Sequence, residues 1–241
     1  GNAFKGHKRL STDEGTLSLP YWLLNLDETI GLLVGKTEHA ATSQSNVVKN
    51  ALRAARVEAA KDMPGVDDAK LTVDSPIPYA LGDPRGLDAF GEVDGKRYDI
   101  GFVGAVNAQR PIGKDKKANE EYTKVLRKLE SLMNDERLSF MMTPWDGGGD
   151  PLPKVMGELL GPGARVRIVD LSGVPNEVAG TASAAIARML FSTKVWQTIP
   201  EREASPVVLV CEEAHRYVPN TGEAQYEAAQ EAIRRIAKEG R

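Results

Sequence analysis

Two adjacent carboxylates, Glu212 and Glu213, close the apolar run 207–211 and are followed by Ala214 and His215. A short continuous run of this kind reads as a strand buried on both faces. Open α/β sheets bind their ligands beyond the carboxyl ends of such strands. Successive strand residues face opposite sides, and the chain turns where the strand stops, so two neighbouring acids can hold separate tasks. In a nucleotide hydrolase one acid orients a magnesium ion and its water shell. The next takes the proton of the water that attacks the γ-phosphate. Plain exposure also makes strand ends acidic, and a histidine at such a place serves as a turn cap as readily as a catalytic group. Ala214, His215 and the segment 217–219 (Tyr-Val-Pro) weigh toward chemistry. Glu212, Glu213 and His215 acting directly as ligands in a metal-dependent hydrolase is the competing chemical reading.

The elements that position these residues follow from periodicity. The run 166–171 is a second short apolar segment ending in an acid, Asp170. A helix over about 178–196 joins it to 207–211, with Ala182, Ile186, Met189 and Leu190 on one side. Strand, helix, strand predicts one right-handed crossover in a parallel sheet. Asp170 then either joins a magnesium or water network or caps the loop into the helix. A last helix spans about 222–239, acidic toward its start and basic toward its end (Arg234, Arg235, Lys238), as the helix dipole favours.

Upstream, 18–56 reads as helical, with Trp22, Leu23, Leu26, Ile30 and Leu33 at three- and four-residue spacing. A second helix is expected over about 43–62, ended by Met63-Pro64-Gly65. Dense prolines and glycines make 64–115 loops and short strands, one of them within 96–106. The segment 119–134 is a helix burying Val125, Leu126, Leu129 and Leu132, and 138–142 reads as a short buried strand.

The 241 residues carry a net charge of −3, so no global charge marks a nucleic-acid binder, although a pore needs only local basic patches. The one cysteine, Cys211, excludes an intrachain disulfide and fits a cytosolic, cytoplasmic protein. No apolar stretch approaches the roughly 20 residues of a membrane span, so no membrane is expected. His7, His39 and His215 make no zinc spacing, and Ser172-Gly173 lacks the nucleophile-elbow pattern.

The segment 212–215 after its apolar run resembles the Walker B segment of HerA-type ATPases in the HerA–FtsK superfamily of P-loop DNA translocases and helicases. Segment 165–175 is similar to that family's preceding strand, and 233–241 to its following helix. Segments 126–140 and 76–79 also resemble the family, so the likeness is close over 165–241 and looser over about 1–142. It implies ATP and Mg²⁺ as cofactors, Glu212 at the magnesium site through water, Glu213 as catalytic base, and Asp170 and His215 beside the nucleotide. It also implies an arginine finger reaching a neighbouring subunit, with Arg241 the first candidate and Arg235 the second. Solvated helix-end charge is the alternative for each arginine. Implied partners are DNA, further copies in a homo-hexamer, and a nuclease in DNA end processing or defence. Lys114, Lys116 and Lys117 are candidate pore contacts, or simply a solvated loop.

A P-loop needs G-x-x-x-x-G-K-[ST]. Gly35-Lys36-Thr37 ends like one, but only three residues, Leu32, Leu33 and Val34, separate Gly31 from Gly35. They continue a helical pattern, so a helix end is expected here. Both ends of the chain read as cut, and the family's phosphate loop and sensor strand are expected outside it. The expected fold is α/β, a partial RecA-like P-loop NTPase parallel sheet with a mostly helical insertion. Residues 1–14 would be a remnant of the ATPase core, 15–135 the insertion, and 136–241 the core with the Walker B strand. An assembly module that keeps the ATPase shape without using nucleotide is the reading from another class.

Overall fold

The computed structural model describes residues 6–35, 40–83, 101–111, 116–145, 147, 149–161, 164–216 and 227–240. The chain forms two compact units, Gly1–Gly173 and Val174–Arg241.

In the first unit, β1 (His7–Ser11) pairs in parallel with β2 (Val166–Asp170), with His7 opposite Val166 and Ser11 opposite Asp170. Parallel strands need a long crossover, and the helices between them supply it. The architecture is α/β, a short parallel sheet together with many helices. β1 had no counterpart in the sequence pattern; its His-Lys-Arg start hides a strand whose only buried residues are Leu10 and Ser11.

The start of the stretch expected to be helical over 18–56 is broken. Pro20 leads a 3-10 turn at Tyr21–Leu23, Leu24 is extended, and Asn25 starts α1 (Leu26–Leu33). Asn25 Oδ1 accepts from the Glu28 amide at 2.8 Å, and the Glu28 carboxylate accepts from the Asn25 amide at 2.9 Å. Such a reciprocal capping box satisfies two end amides and fixes a helix start. α2 (Ala40–Ala60) buries Val47, Val48, Ala51, Leu52 and Ala55, and the chain leaves it through Gly65 at φ +83°.

Where a strand was expected within 96–106, the described part is a helix, α3 (Gly101–Asn107), packed on α2. Residues 96–100 lie outside the described residues. Gly101 opens α3 at φ +62°, and a Cβ there would lie 1.9 Å from the Ala80 carbonyl oxygen. α4 (Lys116–Met133) buries Val125, Leu126, Leu129 and Leu132, as its spacing predicts. The expected strand at 138–142 is instead a 3-10 turn, Glu136–Leu138, running into α5 (Ser139–Met142). Asp135 caps that turn by accepting from the Arg137 amide at 3.1 Å. Leu138 and Met141 are fully buried, so the apolar run was rightly placed in the core but its period was too short to tell helix from strand.

α6 (Leu152–Leu160) was not foreseen. The Arg167 guanidinium, from β2, donates to the carbonyls of Glu158 (3.0 Å), Ala164 (2.9 Å) and Gly161. These are the carbonyls that a helix end leaves without intrahelical partners, together with the loop beyond it. The core of the unit includes Trp22, Leu23, Leu52, Leu126 and a fully buried Arg56, which donates to the carbonyls of Trp22 (3.1 Å) and Leu24 (2.7 Å).

In the second unit, α7 (Asn176–Trp196) packs against α9 (Glu227–Glu239). The buried side of α7 is built on small residues, Ala179, Ala182, Ala184, Ala185 and Ala187, with Val178 and Met189. A short α8 (Ile199–Ala204) follows; the Glu201 carboxylate accepts from the Thr198 amide and hydroxyl, both at 2.8 Å. These bonds hold Glu201 below the usual carboxylate range.

The run 207–211 is not a strand. It pairs with nothing among the described residues, and Val208 is 86% and Val210 78% exposed. The expected strand–helix–strand unit therefore lacks its last member. β2 itself leaves Val166 and Ile168 exposed. The reason is general: a strand exists only when a neighbour accepts and donates its ladder bonds. The apolar pattern states the demand, and the described residues hold no third strand to meet it.

Candidate functional site

The two acids stand where the apolar run stops. Glu213 has φ +52°, and it is the one non-glycine residue with positive φ among the described residues. A long side chain in this left-handed region costs about 1 kcal/mol or more, and such strain clusters at working sites. The kink ends any strand geometry at Glu213, so the alternation rule no longer ties the directions of the two carboxylates. A 3-10 turn, Ala214–Arg216, begins at once, and the Arg216 amide donates to the Glu213 carbonyl at 2.9 Å. That turn sets the His215 imidazole Nδ1 3.6 Å from the Glu213 carboxylate Oε2. Both side chains are about 70% exposed, at 72% and 69%, and Glu212 is exposed as well. Cys211, just before them, is half-buried, and burial pushes its thiol up from the ordinary value.

Asp170 closes β2. Its carboxylate accepts from the Arg9 guanidinium at 2.5 Å and from the Ser172 amide at 3.0 Å. The Arg9 hydrogen bond first, then those from Ser172, hold its pKa down at about 2. Arg9 also donates to Glu14 at 2.9 Å. At the same end of the sheet Gly173 lies close to Asp13, whose Oδ1 would be 2.8 Å from a Cβ there. Arg9 was missed in the sequence, because nothing local pairs it with an acid 161 residues away. The register of β1 and β2 makes that pairing.

Arg235, the second finger candidate, stacks over the Phe191 ring of α7, 4.9 Å from its centroid, and lies 3.3 Å from Glu239. Arg241, the first candidate, lies outside the described residues, as do Lys114 and the segment 217–219. Lys116 and Lys117 begin α4. Gly31 sits inside α1, and Gly35 follows that helix at φ +72°. A left-handed glycine just past a helix is a common C-terminal cap. Lys36 and Thr37 lie outside the described residues.

The family model described as "Helicase HerA, central domain" matches residues 2–190. The chain belongs to the HerA helicase central-domain family. No curated protein matches it. The matched span takes in β1, the helical region, β2 and most of α7, and it makes the chain HerA-type and P-loop-NTPase-like. Glu212, Glu213 and His215 lie C-terminal to that span. Among the described residues no helix is long and apolar enough to cross a membrane.

The donor set at 212–213 suits magnesium, a hard cation that takes one or two carboxylates and keeps several waters. The HerA-family chain thus presents exposed carboxylate oxygens at 212–213 and a carboxylate at 170 already neutralised by Arg9. Among the described residues no three His, Cys, Asp or Glu side chains gather into a dedicated metal cage.

Proposed function

We propose that this HerA-family chain contributes the acidic half of an ATP-hydrolysing site in a motor that moves along DNA. The observation that supports the reading is the adjacent, exposed pair Glu212 and Glu213 at the end of an apolar run, with a left-handed backbone at Glu213. Glu212 holds magnesium through its water shell. Glu213 accepts, at its carboxylate oxygen, the proton of the attacking water. Bound ATP with Mg²⁺ supplies the transferable phosphoryl group.

Asp170 supports the sheet end through Arg9. Arg241 is the finger offered to a neighbour, since Arg235 is occupied by Phe191 and Glu239. A finger in trans requires a closed ring, and a homo-hexamer working on DNA in the cytoplasm, with a nuclease partner in end processing or defence, is the assembly this implies. Residues 15–135 act as a helical insertion between core segments 1–14 and 136–241, and Lys114, Lys116 and Lys117 line the path of DNA.

The test is DNA-stimulated ATP hydrolysis by the whole protein against Glu213→Gln. Loss of a general base costs about 10²- to 10⁴-fold in kcat. A variant that hydrolyses ATP at the wild-type rate removes Glu213 from the role.

A further inference from the structure

We infer that His215 is a positioning residue for Glu213, holding its carboxylate through Nδ1 rather than touching nucleotide. The inference rests on the reading of Glu213 as the base.

Three observations meet at this point. Glu213 is left-handed at φ +52°, a conformation that its own side chain disfavours and that its surroundings must impose. The Arg216 amide closes a turn on the Glu213 carbonyl at 2.9 Å, which fixes the spacing between residues 213 and 215. Within that turn the imidazole Nδ1 faces Oε2 at 3.6 Å. One residue, Ala214, separates the two in sequence.

The distance is longer than a hydrogen bond, and catalytic contacts commonly tighten only when the site is loaded. A small rotation of either exposed side chain closes it. With Oε2 held by Nδ1–H, Oε1 remains to accept the proton. The same contact limits the rotamers of an exposed glutamate, which otherwise samples several. The left-handed residue and the turn that follows it set the approach of the two side chains.

The nitrogen that matters is Nδ1, and this separates the two amide replacements. Asparagine places its amide nitrogen near the position of Nδ1, whereas glutamine reaches toward that of Nε2. In the whole protein, His215→Ala should lower kcat about 10-fold, a part of what a general base contributes, with KM for ATP within twofold. His215→Asn should recover most of the loss and His215→Gln should not. A readout free of turnover comes from the imidazole ¹⁵N resonances. The chain has three histidines, so the His215 signals are identified by their absence in His215→Ala. Glu213→Gln should shift the His215 Nδ1 resonance and leave those of His7 and His39 unmoved. An unmoved His215 resonance overturns the inference, as does a glutamine variant that rescues as well as asparagine. Wild-type ATP hydrolysis by Glu213→Gln, with the resonance shifted, leaves the contact standing and instead overturns the role of Glu213 as base.

Discussion

Breaking the Arg9–Asp170 pair should cost stability in a pH-dependent way. The guanidinium and carboxylate meet at 2.5 Å, with side-chain exposures of 46% and 22%. Two unit charges about 4 Å apart attract by about 4 kcal/mol at an effective dielectric of 20 and by about 1 kcal/mol in water. The fall of the Asp170 pKa from 3.8 to about 2 sets an upper bound of about 2 kcal/mol, since each unit is worth 1.36 kcal/mol. Arg9 is nearly half exposed, so solvent screening brings the expected coupling to about 1 kcal/mol. The sign follows from the depressed folded-state value. The contribution is complete above the unfolded pKa near 4 and is lost as pH falls through about 2. At pH 3 about half should remain. The assay is a double-mutant cycle of Arg9→Met, Asp170→Asn and the double variant, by urea unfolding at pH 7 and pH 3. A coupling below about 0.3 kcal/mol at pH 7, or one that does not fall at pH 3, refutes the assignment of Asp170 to the sheet end.

Two further substitutions test backbone positions. Gly101→Ala should lower stability by more than about 2 kcal/mol, because φ +62° disfavours any Cβ and the Ala80 carbonyl oxygen lies 1.9 Å from where it would stand. The measure is the urea midpoint, with the slope unchanged if compactness is kept. At Glu213, glycine should leave stability unchanged or raise it, while valine, branched at Cβ, should lower it by about 1–2 kcal/mol. Equal midpoints for the two variants would show that the left-handed conformation carries no strain. The Glu213→Gln hydrolysis test and the His215 series belong with these.

Much of the helical region was legible in the residues. The 3.6-residue periodicity of α4 named four buried apolar positions, and Met63-Pro64-Gly65 marked the end of α2. Short apolar runs were not, because four or five buried residues satisfy a strand and a helical turn equally. Segment 139–142 is α5, and Leu138 ends the 3-10 turn that Asp135 caps. The candidate acids were visible as types and spacing. The left-handed backbone at Glu213 was not, since few sequences announce such a residue with glutamate.

The sequence by itself determined which side chains can do chemistry here and which helices bury their apolar faces. Both are written in residue type and in local period. Only the tertiary structure decided that β1 exists, that Arg9 neutralises Asp170, and that 207–210 lies exposed without a strand partner among the described residues. The reason is that strand pairing and long-range ion pairs are set by partners far away in the chain. A run of valines states what it needs, but whether it becomes a strand depends on the neighbour that supplies its hydrogen bonds.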